Sequence, residues 1–452
     1  MKSTPSTPLR LTEGSIIGGI LSFAIPIFLG QVLQLFYNMA DAWVIGNFAS
    51  NDAFAAVSSG GNLTFLIVGF FSGIAAGGGV VIARYCGAKD SENLKAAIHT
   101  DFLFGLIASV IATTLGLILI PKLLRIMNTP EEVLPYSLEY FRIYFGGVST
   151  VILYNICMSM MQALGNSRSP LHYLMISSAV NIALDLLFVA VFHWGVSGAA
   201  IATVISQGLS VTLCLIRMLR NPDPTTRLDF RALKWNSVLM KQIIRQGLPS
   251  GIQNAVISLG NIAIQTNINS FGPYAMSGQG AHAKIEGFAF LPITSISTTL
   301  PTFVSQNLGA GQISRARKGA LYGTVFSVIS AALVGVATYI WAPQLLSIFV
   351  STPESLAYGT THSRIVCHFY ALLALSHCCA GTLRGCGKST VPMATMLAFW
   401  CVVRTIYVTV ILKFIHEFGM ISWAYPLTWS LSSIVLLVYL LRLDWEKAVS
   451  RL

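Results

Sequence analysis

Charge is scarce in this 452-residue chain: 10% of its residues are Asp, Glu, Lys or Arg, against 54% hydrophobic. A soluble protein of this length carries roughly 25% charged residues, so the chain cannot clothe a water-facing surface. Between Glu13 and Asp52 the one charged residue is Asp41. The eight cysteines contain no CxxC pair and no His/Cys spacing that suits zinc, and they lie mostly in or beside apolar segments. They read as inert membrane thiols, which leaves neither a disulfide framework nor a metal centre to expect. The eight histidines form no HxxxH or HxxxD pair, so an integral membrane enzyme is disfavoured and no cofactor is implied.

What the chain does have is a series of apolar runs of around 20 residues with short polar breaks, the mark of a polytopic all-α membrane protein. They lack the alternation of a barrel. Twelve spans are predicted, at 14–38, 53–83, 96–120, 136–161, 171–192, 196–219, 239–269, 277–305, 319–342, 359–383, 391–414 and 420–441. The first contains Pro26, Gln31, Gln34 and Asn38 and is too long for a signal-peptide core, so it is expected to be retained.

Most Lys and Arg fall in the tails and the even-numbered breaks, whereas the opposite side holds only Lys122, Arg125, Arg142 and Lys413. By the positive-inside rule both termini are expected to be cytoplasmic. The net charge of +11 is then topological, and no nucleic-acid partner is expected.

The sequence repeats itself. "NTPEEVLPYSLEYFRIYF" (128–145) matches "STPESLAYGTTHSRIVCHF" (351–369) at a shift of 223, and "FAIPIFLGQ" around Pro26 matches "QGLPSGIQN" around Pro249 at the same shift. "LGNSRSPLHYLM" (164–175) echoes "RGCGKSTVPMATM" (384–396). A repeat of six spans returns the chain to its starting side, so the halves should be parallel repeats about a pseudo-two-fold axis along the membrane normal. The expected organisation is a tail at 1–13, an N-lobe at 14–219, a linker at 220–236, a C-lobe at 237–442 and a tail at 443–452. A substrate cavity between two rocking lobes follows by analogy of architecture.

Acids deep in apolar spans cost roughly 2.5–3.5 kcal/mol on insertion scales and are usually kept for function. Asp41 shares a helical face with Tyr37 and Asn38, with Gln34 a turn below. Asp185 lies in "VNIALDLLFVAV" with Asn181 one turn before it. Taken singly, Asp41 could equally be an interfacial marker, and Asp185 could bond a neighbouring helix for packing. Asn155 and Thr203 add oxygens from the neighbouring spans. Such a set suits Na⁺, and a buried carboxyl pair also suits a proton, because burial and like charge both favour the neutral acid. The repeat places Ile264 opposite Asp41 and a position near Tyr407 opposite Asp185, so the acids belong to the first half alone. The second half offers Gln253, Asn261, Gln265 and Glu286, which with Gln34, Tyr37 and Asn38 are the candidates for a substrate cavity. Arg404 is expected to bond carbonyls or Glu286. Pro26 removes a backbone hydrogen bond and can bend the first span.

The segments "YNMADAWVIGNF", "ARYCGAKD", "QALGNSRSP", "NIALDLLFV", "GVSGAAIATVISQ" and "SQNLGAGQ", in this order over both halves, resemble the multidrug and toxic compound extrusion (MATE) transporters, with a leaning to their DinF-like branch. The resemblance implies a bacterial cytoplasmic-membrane exporter of organic, often cationic and amphipathic compounds, working by antiport with H⁺ or Na⁺ and expected to be a monomer. It implies a cation site at Asp41, Asn155, Asn181, Asp185 and Thr203, with bending at Pro26, and no metal beyond Na⁺ at that site. Acids that some branches carry in spans 7 and 10 are missing here. The alternative is a lipid-linked oligosaccharide flippase of similar two-lobed build, which would need a basic cavity; deep cations are few (Lys284, Arg364, Arg404).

Overall fold

The computed structural model describes residues 11–50, 52, 53, 56, 57, 61–126 and 129–449. Residues 1–10 of the expected N-terminal tail, 450–452 of the C-terminal one and parts of the second span, among them 58–60, lie outside the described residues.

In lipid a spanning backbone must satisfy its own hydrogen bonds, and every regular element among the described residues is helical. The first half runs α1 (Ile16–Phe48), α2 (Gly61–Ala88), α3 (Ser91–Ile126), α4 (Leu134–Gly146), α5 (Val148–Ala163), α6 (Arg168–Asp185) and α7 (Gly195–Leu219). The second runs α8 (Ser237–Asn269), α9 (Pro273–Gly309), α10 (Ile313–Leu346), α11 (Pro353–Val366), α12 (Tyr370–Gly385), α13 (Thr390–Met396), α14 (Arg404–Phe414), α15 (Phe418–Leu441) and the short α16 (Trp445–Val449). The twelve predicted spans fall on these helices. The fourth is the pair α4 and α5, bent by 46° at Gly147. The tenth is α11 and α12, joined by a tight turn at Cys367–Phe369, and the eleventh is α13 and α14, joined by the wide helical turn Leu397–Val403.

Among the described residues ten helices, eleven with the bent pair, are long and apolar enough to cross a membrane. α8 is not among them: Lys241, Arg245 and a file of amides dilute its hydropathy. Its 33 residues still make a rod of about 50 Å, longer than a bilayer core.

The chain divides into two compact units. The first spans 29–247; the second joins 10–28 to 248–452. Both cuts lie beside a proline in a helix interior, Pro26 in α1 and Pro249 in α8. Arg315 explains why the start of α1 belongs to the second unit. Its guanidinium donates to the carbonyls of Leu11 (3.1 Å), Glu13 (2.7 Å) and Gly14 (2.7 Å).

In the first unit the run Gly77–Gly79 lets three neighbours approach α2. A Cβ would run into the Gly247 backbone at Gly77, the Asp101 carboxyl at Gly78 and the Ser159 hydroxyl at Gly79. The segment 220–236, expected to be a plain linker, is docked on this unit. Leu228 is buried in its core, Phe230 packs against Phe102, and the Asp229 N–H donates to His99 Nε2 at 3.0 Å. His99 Nδ1 lies 2.8 Å from the Lys95 carbonyl. A carbonyl only accepts, so Nδ1 carries the proton and Nε2 is free to accept.

Candidate cation site

Asp185 closes α6, and the next six residues, Leu186–Val191, form a π-helical turn. Such wide turns collect at functional sites because they displace side chains from regular helical spacing. Asp185 and Asn181 are both fully buried. α1 continues ten residues beyond its predicted end at 38, so Asp41 sits well inside a helix and not at its terminus. Its carboxyl and that of Asp185 come within hydrogen-bonding reach of each other. Tyr37, one turn before Asp41, lies beside Thr203 of α7. Tyr140 of α4, with Tyr144 beside it, feels the charge of both acids.

The site is short of donors. Asp41 Oδ1, both oxygens of Asp185 and both amide atoms of Asn181 are buried with no hydrogen-bond partner among the described residues. Among the described residues no Lys or Arg acts on either carboxyl. Ionised carboxylates only accept hydrogen bonds, and two facing each other without a donor repel. The pair therefore requires a proton or a bound cation between its oxygens, with the Asn181 amide oxygen as a further ligand. Among the described residues no three His, Cys, Asp or Glu side chains form a metal-binding group.

Asn155 is engaged differently. Its amide donates to the Val151 carbonyl (2.8 Å) and its oxygen accepts from Ser72 (3.1 Å) on α2. Gln34 and Tyr37 line a small recess with Ser177, Ser178, Ser206 and Gln207, while Asn38 is exposed. Three groups here escaped the sequence reading: Tyr140, Tyr144 and Gln207, whose Oε1 is buried and unpartnered. A fourth lies apart from the site. Asp101 of α3 is buried with neither carboxyl oxygen paired; its position as a lone acid entering an apolar run was the available signal.

The second-unit candidates are not gathered into one site. Gln253 accepts from Arg384 at 3.2 Å, Gln265 donates to Asn269 at 2.9 Å, and Asn261 is exposed. Glu286 belongs to another cluster, 4.0 Å from His282 Nε2. His282 bonds Ser363 (2.7 Å) and His362 bonds Ser422 (2.8 Å), with the two imidazoles in edge contact at 4.6 Å. Arg404, expected to bond carbonyls or Glu286, instead donates twice to the Thr428 hydroxyl. It stacks over Tyr425 and Trp400, since a guanidinium buries well against aromatic faces.

A family model described as MatE matches residues 26–187 and again 249–410. The probable multidrug resistance protein YoeA of Bacillus subtilis is 29% identical over 406 residues, covering 88% of this chain and 87% of that protein. The probable multidrug resistance protein YpnP of the same organism is 26% identical over 390 residues, covering 86% and 87%. In fold, the chain superposes on an outward-facing multidrug resistance MATE family transporter with a TM-score of 0.89 at 20% identity, covering 100% of this chain and 99% of the other.

The two matched segments are displaced by 223 residues, the shift seen in the sequence repeat. It sets Ile264 opposite Asp41, Val408 opposite Asp185 and Arg404 opposite Asn181. Ile264 and Val408 are buried together in one apolar cluster with Ile268, Phe418 and Ile421. The second unit thus fills with hydrocarbon the place where the first holds its acids. Matched twice over in this way across most of its length, the chain belongs to the MatE family.

Proposed function

We propose that this protein exports small organic compounds across the bacterial cytoplasmic membrane, driven by inward movement of H⁺ or Na⁺ that binds between Asp41 and Asp185. The observation that carries this reading is the facing pair of carboxyls, Asp185 buried and Asp41 half-buried, with no side-chain donor on Asp41 Oδ1 or on either oxygen of Asp185 among the described residues. Asn181 lies one turn from Asp185, and the hydroxyls of Tyr37 and Thr203 supply further oxygen ligands. Asn155 acts at one remove, holding α5 to α2 through Ser72. Export of drug-like compounds is supported by the names of the Bacillus relatives, both multidrug resistance proteins.

Occupation of the pair by a cation removes the repulsion between Asp41 and Asp185 and ties the end of α1 to α6. Pro26, where the i→i−4 ladder is broken, is the place for α1 to flex. Cation and substrate need only disfavour each other's binding for exchange to follow. Gln34, Tyr37 and Asn38 place the organic substrate beside the cation. Six-span lobes at 14–219 and 237–442, cytoplasmic termini and a monomeric unit complete the proposal. The flippase alternative is weakened because Arg404, one of the few deep cations, is already committed to Thr428 and two rings.

The test is dye efflux from proteoliposomes with pH and Na⁺ gradients imposed separately. Efflux should follow one gradient in the wild type and neither in Asp41→Asn or Asp185→Asn. Undiminished efflux in both variants would refute the assignment.

A further inference from the structure

A recess lies in the second unit at the end of α15. It has a volume of about 700 Å³. One wall is the outer strip of α15, with Ile434, Val435, Val438 and Tyr439; α16 contributes Lys447 and Ala448, and Lys388 projects from the turn between α12 and α13. α16 is fixed in place because Leu443, Trp445, Ala448 and Val449 pack on Val304, Leu308 and Ala320. The chain therefore turns sharply after Arg442 and forms a floor beneath an apolar, outward-facing helix strip. Ile434 is 59% exposed and Val438 43%, as befits residues that meet acyl chains and not protein.

The charged groups lining this recess are Lys388, Arg442, Lys447 and a single acid, Asp444. Asp444 is matched by Lys447 at 3.1 Å, so the balance is positive. Tyr439 lines the recess and Trp445 packs in the cluster that holds α16.

We infer that this recess is a binding site for an anionic glycerophospholipid, with its phosphate held by Arg442 and Lys388 and one acyl chain laid along Ile434, Val435 and Val438. Free phosphate is a poor fit: the volume far exceeds it, and most of the lining is hydrocarbon. A zwitterionic lipid fits less well, because its own cation would meet three others. Under the proposed orientation the site faces the cytoplasmic leaflet, where anionic lipids attract basic pockets between helices. That leaflet assignment rests on the proposed topology; the chemistry of the recess does not.

The experiment is lipid binding to the full-length protein in detergent, read by native mass spectrometry with no gradient applied. Phosphatidylglycerol, phosphatidylcholine and soluble glycerol 3-phosphate are the probes. Wild-type protein should prefer phosphatidylglycerol over phosphatidylcholine, and Lys388→Gln and Arg442→Gln should each weaken the phosphatidylglycerol complex about fivefold. Val435→Trp keeps every charge but fills the recess, and it should weaken that complex as well. An unchanged melting temperature in phosphatidylcholine shows that the variants fold. Equal binding of the two lipids, wild-type affinity in the charge variants, or glycerol 3-phosphate binding as tightly as the lipid would each overturn the proposal. Because no gradient is used, failure here leaves the cation-site proposal standing, and failure of that proposal leaves this one standing.

Discussion

At the scale of single residues, Asp41 and Asp185 are the groups on which the proposed chemistry depends. Replacing either with Asn keeps shape and hydrogen-bonding capacity while removing the charge. Gradient-driven dye efflux should fall to the level of empty liposomes in both variants. Their thermal stability should hold or rise, because burying a charge without a partner is costly; differential scanning fluorimetry reads this. Gly78 makes a different case. A Cβ there would run into the Asp101 carboxyl, and overpacking of this kind costs typically about 1–3 kcal/mol, so Gly78→Ala should lower the melting temperature measurably. Both acids of the pair were legible in the sequence as lone charges in long apolar runs. Tyr140, Tyr144 and Gln207 were not, because nothing in their local spacing reports that α4 and α7 carry them to α1. Arg404 misled for a related reason: the sequence gives no sign that Thr428, Tyr425 and Trp400 surround it.

Whole elements behave according to their punctuation. Pro26 sits inside an unbroken 33-residue helix, where its ring removes one backbone hydrogen bond. Pro26→Ala should stiffen α1, which raises the melting temperature and slows efflux without abolishing cation binding; stopped-flow dye efflux beside thermal melts separates the two effects. The segment 220–236 reads as a linker because it is the longest polar break and falls near the middle of the chain. Its docking rests on Leu228, Phe230 and one histidine nitrogen, contacts that polarity counts conceal. His99→Ala should remove the anchor at Asp229 and speed tryptic cleavage at Arg227 and Arg231, followed by gel electrophoresis. Acidification should act in the same direction, since a protonated imidazole has no nitrogen left to accept the Asp229 N–H. Helix ends were the least legible feature. Tyr37, Asn38 and Asp41 look in sequence like a polar terminus, yet α1 carries on to Phe48, with Val44 and Ile45 buried beyond them.

At the scale of the molecule, the duplication is the most informative fact. The two matched segments share a proline-bearing first helix and a wide helical turn within their fifth span, late at Leu186–Val191 and earlier at Leu397–Val403. They differ in what fills the equivalent place: a carboxyl pair in one, Ile264 and Val408 in the other. A shared scaffold with one polar and one apolar filling locates the difference in function, not in folding. The architecture was open to sequence analysis because lipid permits so few backbone solutions, and the repeat was visible in three short matches, two of them at a shift of 223. How each side chain is partnered was not, since that depends on contacts made across helices.

The measurement that bears most directly on the central claim is cation-driven efflux by the wild type and by Asp185→Asn in the same proteoliposomes, under a pH gradient and then a Na⁺ gradient. The account expects one gradient to drive wild-type efflux and neither to drive the variant, with substrate binding retained in both proteins. Efflux by Asp185→Asn at the wild-type rate under the driving gradient would contradict it.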